Sequence, residues 1–485
     1  MEEFEIEKEN IGITSAKGVA ALASRTFVLN LISFATSLVI FTILSPKEVG
    51  VYTAIIAIQR IISFFTDFGF GAALVQKKDK LTDEDLSTTF TLQAGVTLAA
   101  FLIVFLFKNY IASGFNVGND AIVLLLVLVF TIFLSSFKTI PSILLERKIH
   151  FHKLILPQIV ESVVFNVILL VLVVNHFGLY SFAWAFLISS IVSIPVYYLI
   201  QRWPIRLGID RKSLSHLRFG LQFQLKNILA TIKDDFLTVI LAKLISFTEI
   251  GYIGFAQRLA FFVFRYVVDS VTKVTFSAYS RLQDDKELLK KAIEKSLFFV
   301  SAIMFPMLTG LIIAAPYVIR FFPKWHGKWE PAVISLVFFG LNAIVSSLSG
   351  ILVNVLDSTG RVKTTLKLMV VWTTLTWVLT PIFVKLFGFN GVSFASFLVT
   401  LSIFYTVYLV KKVVDFSFFG SVSKPLFATL IMAMLFYGAT HLFVSNFITL
   451  FVFASISGIV YFVLFYFMAG EELIGDLKKI FFKKQ

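Results

Sequence analysis

The chain of 485 residues is 58% hydrophobic and only 15% charged, and it contains no cysteine. A soluble domain carries about 25% charged residues, so this composition excludes a soluble protein and predicts a membrane protein. The lack of cysteine excludes disulfides and Cys-ligated metals. The net charge of +14 would favour nucleic-acid binding in a soluble protein, but most Lys and Arg residues lie in short loops between apolar segments, and we expect no nucleic-acid partner.

Fourteen apolar segments are long enough to cross a bilayer as helices, which takes about 20 residues. In chain order, spans 1 to 14 are predicted over residues 18–44, 50–75, 86–107, 121–145, 154–175, 179–200, 217–245, 249–280, 293–315, 331–356, 364–385, 391–410, 424–442 and 447–468. The N-terminus has neither the basic region nor the small-residue cleavage site of a signal peptide, so we expect span 1 to be retained. The predicted fold is an all-α, polytopic membrane protein.

The basic residues of the loops predict the orientation, because cytoplasmic loops are enriched in Lys and Arg. With the N-terminus inside, the cytoplasmic segments carry 28 Lys and Arg residues and the outer segments carry 6. Loops rich in Lys and Arg alternate with loops poor in them along all fourteen spans, which predicts that both termini are cytoplasmic.

A short internal repeat indicates a duplicated six-helix unit. The string LSPKEVGVY at 44–52 matches ISFTEIGYI at 245–253, and each string joins the first two spans of a six-span set. Identical residues recur at an offset of 201: Ser45 and Ser246, Glu48 and Glu249, Gly50 and Gly251. Transporters place substrate sites between two such pseudo-symmetric halves. The predicted divisions are an N-terminal lobe, a C-terminal lobe, and two terminal helices with a tail, over residues 1–210, 211–415 and 416–485.

Apart from the residues counted with the loops, nine Lys and Arg residues fall inside predicted spans, where a charge costs roughly 3 kcal/mol or more and normally faces a partner or a hydrated cavity. Eight of them lie in spans 1, 2, 7 and 8, and this concentration predicts one cationic cavity. The residues expected to line the cavity are Arg25, Arg60, Lys226, Lys233, Arg258 and Arg265. The remaining three, Lys138, Lys243 and Lys273, are expected to snorkel to the interface.

Four acidic residues in or near the spans are candidates for ion coupling or charge balance: Asp67, Asp234, Asp269 and Glu161. Span 8 carries four charged residues within an arc of about 80°: Arg258, Arg265, Asp269 and Lys273. In span 7, helical spacing places Asp234 at the edge of the cationic face and Asp235 on the other side. Glu161 in span 5 is expected to be an isolated carboxylate held by a structural hydrogen bond.

A cavity lined by arginines and lysines suits a diphosphate, because the planar guanidinium group can bind two of its oxygens at once. The sequence has no Gly-rich phosphate loop, no H-E-x-x-H motif and no long outer loop that would hold an active site. We therefore expect a transporter with no catalytic residue, no metal site and no cofactor. Two alternatives remain open. A cation-coupled drug or small-molecule exporter would have more acidic residues in its cavity, and a membrane glycan polymerase or transferase would have a large outer loop.

Several strings resemble one family, in order, over roughly residues 15–470. They are ILSPKEVGVY (43–52), DFGFGAALVQKKDKLTDEDLSTTF (67–90), ERKIHFHK (146–153), IGYIGFAQRLA (250–260), FSAYSRLQDDKELLKKA (276–292) and FFPKWHGKWEPA (321–332). The chain resembles the polysaccharide transporters, or Wzx-type lipid-linked oligosaccharide flippases, of the multidrug/oligosaccharidyl-lipid/polysaccharide superfamily.

The resemblance implies two six-helix lobes in alternating access and a terminal helix pair that forms a groove for a lipid tail. The implied cargo is a polyprenyl-diphosphate-linked oligosaccharide, as for lipopolysaccharide O-antigen, in the cell inner membrane. The implied partners, besides membrane lipids, are a glycan polymerase and chain-length proteins. In related peptidoglycan-precursor flippases, basic residues of helices 1, 2, 7 and 8 meet the lipid diphosphate, and by position Arg25, Arg60 and Arg258 resemble them. The driving gradient is left open between protons, sodium and chloride.

Overall fold

The computed structural model describes residues 28–67, 69–77, 79–148, 151–211, 213 and 231–482. Over these residues the chain forms sixteen α-helices, a π-helical turn at Ile232–Phe236 and a 3-10 turn at Glu330–Ala332, without β-strands. In chain order, α1 to α16 are Val28–Ile43, Pro46–Thr66, Phe70–Gln76, Asp83–Phe115, Asn119–Arg147, Phe151–Val174, Tyr180–Ile200, Leu237–Leu244, Phe247–Leu282, Lys286–Phe321, Val333–Ser358, Val362–Phe387, Asn390–Thr400, Ile403–Lys411, Phe418–Leu442 and Phe447–Phe482.

Among the described residues, eleven helices are long and apolar enough to cross a membrane. They coincide with predicted spans 2 to 6 and 9 to 14. The prediction of an all-α polytopic membrane protein is confirmed. The described part of span 1 is the shorter apolar helix α1, and span 7 is described only from Thr231 onward. Span 8 corresponds to α9, whose internal charges lower its hydropathy. The total of fourteen spans stays a prediction.

Span 2, predicted as one segment over 50–75, is two helices in the structure. α2 ends at Thr66, and α3 begins after Gly69, whose φ of 67° lies in the left-handed region. The Asp67 carboxylate accepts a hydrogen bond from the Gly69 N–H at 3.0 Å. Aspartate side chains readily bond the backbone two residues on, and this stabilises the turn. The prediction of one uninterrupted segment is therefore wrong.

The chain divides into two compact units, Met1–Gly251 and Tyr252–Gln485. The first unit includes the described end of span 7 and the first residues of α9, because Ala242 and Ile250 pack with Ala54 of α2. The predicted lobe boundary, between residues 210 and 211, stays a prediction.

A buried polar cluster fixes the segment between α3 and α4 in the first unit. Only 3% of the Asp85 side chain is exposed, and its carboxylate accepts hydrogen bonds from Lys77 Nζ at 2.6 Å, Thr82 N at 3.0 Å and Ser213 Oγ at 2.9 Å. A buried carboxylate without partners would be costly. These three donors compensate the charge and hold the basic loop between spans 2 and 3 in place.

The second unit has a large apolar core formed by α9, α10 and α11, to which α12, α14 and α15 also contribute buried residues. The C-terminal helices α15 and α16 pack on α10 of this unit. Tyr461 donates a hydrogen bond to the Ala302 carbonyl at 2.7 Å, and the ring of Phe465 stacks on that of Phe298 with centroids 5.4 Å apart. The terminal pair is thus attached by both apolar and polar contacts.

The two repeat strings form the same local structure at the starts of α2 and α9. The Ser45 Oγ accepts from the Glu48 N–H at 3.3 Å, and the Glu48 carboxylate accepts from the Ser45 N–H at 2.8 Å. Ser246 and Glu249 make the same two bonds at the same distances. Each is a capping box, which satisfies backbone donors that a helix N-terminus leaves free.

The two helix starts also meet in a contact that is reciprocal under the offset of 201. A Cβ atom on Gly50 would overlap the carbonyl oxygen of Phe247, and a Cβ atom on Gly251 would overlap that of Pro46. Each glycine therefore lies against the first residue of the other helix. Only glycine fits at these positions, because two backbones approach more closely than any side chain allows.

Candidate functional site

Arg60 of α2 forms a salt bridge inside the first unit. Its Nε donates to Asp235 Oδ1 at 2.7 Å, with 54% of the Arg60 side chain and 13% of the Asp235 side chain exposed. Among the described residues, this bond involves only the Nε of Arg60. Toward the described ranges of the chain, the two terminal nitrogens of the planar guanidinium group keep their N–H donors for another anion.

Asp235 is bonded to Arg60, although the sequence did not place it among the cavity residues. It lies on the π-helical turn Ile232–Phe236, which has i→i+5 hydrogen bonds. That Asp235 and the lysines of span 7 face opposite sides stays a prediction. α2 packs against this turn, and Asp235 thus meets Arg60. The available signal was the pair of adjacent aspartates in an apolar segment, which calls for a basic partner nearby.

Lys233 and Asp234 form a second salt bridge on the same π-helical turn. The Lys233 Nζ lies 2.9 Å from Asp234 Oδ1, with 35% and 65% of the two side chains exposed. A pair this exposed contributes little to stability. The turn therefore carries two acids bound to two different cations, and the role of Asp234 in coupling or charge balance stays a prediction.

The charged residues predicted for span 8 lie on α9 in the second unit. The helix is continuous over Phe247–Leu282, so the predicted spacing of these residues is kept. Arg258 is half-buried, whereas Arg265, Asp269 and Lys273 are exposed. Asp269 interacts electrostatically with Arg265 and Lys273, which supports charge balance along this face.

Two predicted site residues, Arg25 and Lys226, lie outside the described residues. Asp67 lies just after α2, where its carboxylate holds the turn at Gly69, and any further role in coupling stays a prediction. Lys243, expected to snorkel, has its Nζ 5.1 Å from the centre of the Phe115 ring, a distance at which a cation–π contact is favourable.

Lys138 and Glu161 form another ion pair within the membrane-spanning helices of the first unit. The Nζ–Oε1 distance is 2.7 Å, with 12% and 33% of the two side chains exposed. The Lys138 Nζ also donates to Ser190 Oγ at 3.4 Å and to Ser193 Oγ at 3.3 Å, both on α7. The predictions of a snorkelling Lys138 and an isolated Glu161 are wrong, because each neutralises the other inside the bundle. Equal depth was the missed signal, since each lies about seven residues from the predicted cytoplasmic end of its span.

The arrangement suits an oxyanion better than a metal ion. Within the part of the chain that the structure describes, no group of three or more His, Asp or Glu side chains could hold a metal. The half-exposed guanidinium of Arg60 is a donor for charge-assisted hydrogen bonds, which are strongest to carboxylate and phosphate oxygens. The site can therefore bind a phosphate or diphosphate group.

A protein-family comparison matches most of the chain. The family model described as polysaccharide biosynthesis protein matches residues 39–334. This segment includes α2 to α10, and it contains both the Arg60–Asp235 salt bridge and the charged face of α9.

Similar proteins act in glycan biosynthesis, according to their names. The lipopolysaccharide biosynthesis protein WzxC of Escherichia coli (strain K12) is 24% identical over 340 residues, 68% of this chain and 67% of that protein. The succinoglycan biosynthesis transport protein ExoT of Rhizobium meliloti (strain 1021) is 22% identical over 302 residues, 61% of this chain and 60% of that protein. The matches thus span about three fifths to two thirds of these relatives.

Solved structures of transporters share the fold. The lipid II flippase MurJ in an inward closed conformation aligns with a TM-score of 0.75 over 93% of this chain and 100% of that chain, at 18% identity. An inward-facing multidrug resistance MATE family transporter of the MOP superfamily aligns with a TM-score of 0.63 over 79% of this chain and 95% of that chain, at 15% identity. At these identities, the likeness shows the fold alone.

Proposed function

Because the chain belongs to the polysaccharide biosynthesis protein family, we propose that it is a flippase for a polyprenyl-diphosphate-linked oligosaccharide. The cargo moves from the cytoplasmic to the outer leaflet of the cell inner membrane, and both termini of the chain are cytoplasmic. Two relatives are named for lipopolysaccharide biosynthesis and for succinoglycan transport, and a structure with the same fold is a lipid II flippase. These names favour transport of a glycan carrier over catalysis.

The observation that carries the proposal is an exposed guanidinium group in a membrane-spanning helix. More than half of the Arg60 side chain is accessible, and one carboxylate holds it through Nε. Hydrocarbon is a costly surrounding for a charge, so the exposure fits a hydrated pathway. The diphosphate is the part of the cargo that a guanidinium group binds best.

In this mechanism the diphosphate contacts the guanidinium group of Arg60. The glycan moves through water, and the prenyl chain stays in the bilayer. Alternating access requires the cargo to bind the inward-open and outward-open states with different affinities, since equal affinities would shift no equilibrium. No cofactor takes part, and a proton, sodium or chloride gradient supplies the direction. A glycan polymerase and chain-length proteins receive the cargo.

The likeness to a MATE transporter is the observation that favours a second function, export of a cationic drug. The excess of Arg and Lys opposes this function, because like charges repel a cationic substrate.

The test is translocation of a fluorescent lipid-linked oligosaccharide by the protein reconstituted into liposomes, with dithionite quenching of the outer leaflet as the readout. We expect the wild type to move the lipid, and Arg60→Ala to lose at least about tenfold in rate because a charge-assisted bond is lost. Lys108→Ala, which removes a cation above the Phe105 ring outside the site, should keep the wild-type rate.

Separate runs with a proton, sodium or chloride gradient identify the driving force. Movement of a cationic dye without movement of the lipid would replace the flippase with a drug exporter. A wild-type rate for Arg60→Ala would remove Arg60 from the site.

A further inference from the structure

Asp235 holds Arg60 from a sheltered position. The exposed fraction is 13% for the Asp235 side chain and 54% for the Arg60 side chain. The aspartate lies on a π-helical turn packed against α2, whereas the arginine reaches it with a long side chain that has many rotamers. Arg60 is therefore the partner that can move to another anion while Asp235 stays in place.

The neighbouring acid provides a comparison within the same turn. Asp234 has 65% of its side chain exposed and binds Lys233 at 2.9 Å. Both acids carry the same charge and differ by one position, but Asp235 is the one bonded to Arg60. Asp234 already neutralises Lys233 on this turn. The bond between Asp235 and Arg60 therefore requires an explanation of its own.

A carboxylate and a diphosphate compete for the same guanidinium group. Both are oxyanions that accept charge-assisted hydrogen bonds, and a diphosphate offers more oxygens and can bind two nitrogens at once. The salt bridge takes up Nε, so an incoming diphosphate can bind the terminal nitrogens first. Breaking the Arg60–Asp235 bond then offsets part of the binding free energy, and the cargo can leave more easily.

We propose that Asp235 is a resident counter-ion of Arg60, which the diphosphate of the cargo displaces on binding and which returns to Arg60 on release. This proposal rests on the proposed function and adds a residue that sets affinity by competition. Asp235 does not touch the cargo. Its removal should therefore strengthen binding of the diphosphate and slow its release.

The experiment titrates farnesyl diphosphate into the purified protein in detergent, with isothermal titration calorimetry as the readout. Asp235→Asn keeps the shape of the side chain and removes the competing charge. We expect it to bind the probe about threefold to tenfold more tightly than the wild type, as for one charge-assisted bond of a partly exposed pair.

A double-mutant cycle tests whether the effect passes through Arg60. Arg60→Ala should weaken binding, and adding Asp235→Asn to Arg60→Ala should change nothing further. Asp234→Asn removes the same charge from the next position, and we expect a smaller gain from it. Asp235→Ala is a second variant, and thermal unfolding curves report whether each variant is folded.

Three results would overturn the counter-ion proposal: unchanged or weaker binding by Asp235→Asn, equal tightening by Asp234→Asn, or tightening that persists without Arg60. If Arg60→Ala binds the probe like the wild type, the assignment of Arg60 under the proposed function fails, and this proposal fails with it. If Arg60→Ala weakens binding and Asp235→Asn has no effect, only the counter-ion proposal fails.

Transport separates this role from a structural one. Asp235→Asn should bind the diphosphate more tightly and yet translocate lipid-linked oligosaccharide several-fold more slowly in liposomes, because release becomes limiting. A residue needed only for folding would lower the amount of active protein without raising its affinity. Faster translocation than the wild type would contradict the proposal.

Discussion

Lys138 carries its charge into the interior of the first unit, where 12% of its side chain is exposed and Glu161 lies 2.7 Å away. Removing two charges from water is costly, and their attraction offsets this cost only while both partners are present. The two serines of α7 satisfy further donors of the ammonium group. The Lys138–Glu161 pair therefore stabilises the fold only while both residues are present, and loss of either one leaves a buried charge that destabilises it.

Lys138→Met should lower the free energy of unfolding by about 3 kcal/mol, because Glu161 would remain as an uncompensated charge. The double variant with Glu161→Gln should recover most of this loss. Thermal unfolding of the purified protein in detergent measures both effects. Lys108→Met, on the partly exposed lysine above Phe105, is the control and should unfold like the wild type. A single variant as stable as the wild type would show that the pair does not compensate buried charge.

The sequence allowed single site residues to be identified where the residue type is unusual for its surroundings. Arg60 was identified because a charge in an apolar segment is visible without coordinates. Asp235 and Glu161 were also visible, but their partners were not. The choice of partner depends on which helices pack against each other and on the depth of the residues along them, and neither is set by the identity of one residue.

At the scale of helices, the sequence carries clearer signals for where helices begin and end than for changes of winding inside them. Ser45 and Ser246, each followed by glutamate at the third position, form capping boxes, and this spacing is a recognised start signal. Gly69 precedes the second helix of span 2, and its left-handed φ separates the two helices. The π-helical turn at Ile232–Phe236 had no such signal. Over so short a stretch, the spacing of hydrophobic residues does not distinguish a π-helical turn from an α-helical one.

Gly251→Ala should disrupt the meeting of the two helix starts, because its Cβ would overlap the Pro46 carbonyl oxygen. We expect an unfolding temperature lower by at least about 5 °C, a large effect for one methyl group. Thermal unfolding in detergent is the measurement.

Gly50→Ala should behave like Gly251→Ala, because the contact is reciprocal. Gly95→Ala on α4 is the matched control, since a Cβ there would meet no atom within 4 Å, and it should unfold like the wild type. Equal stability of Gly251→Ala and Gly95→Ala would mean that the helix starts can separate without cost.

At the scale of the whole molecule, the sequence predicted the class of protein because a lipid bilayer limits which structures can cross it. A bilayer requires long apolar helices with satisfied backbones, and eleven such helices are present among the described residues. The seventh and eighth spans were weaker signals because charged residues interrupt their apolar pattern. The same charges that predict the site thus lower the hydropathy by which these two spans would be recognised.

The absence of native cysteine makes the orientation directly testable. Asn109→Cys lies in a predicted outer loop and Gln283→Cys in a predicted cytoplasmic loop, and both positions are exposed. In intact spheroplasts, a membrane-impermeant maleimide should label Cys at the first position and not at the second, because the basic loops stay inside. Permeabilised cells, in which both should react, are the control, and the opposite pattern would reverse the orientation.

The meeting of two helix starts at Gly50 and Gly251 has an electrostatic consequence. The N-terminus of a helix carries about half a positive elementary charge from its aligned peptide dipoles. Two N-termini in backbone contact therefore bring like partial charges together, and the capping carboxylates of Glu48 and Glu249 lie where they offset this repulsion. In a duplicated chain, each copy thus carries the negative charge that lets the two dipole ends stay side by side.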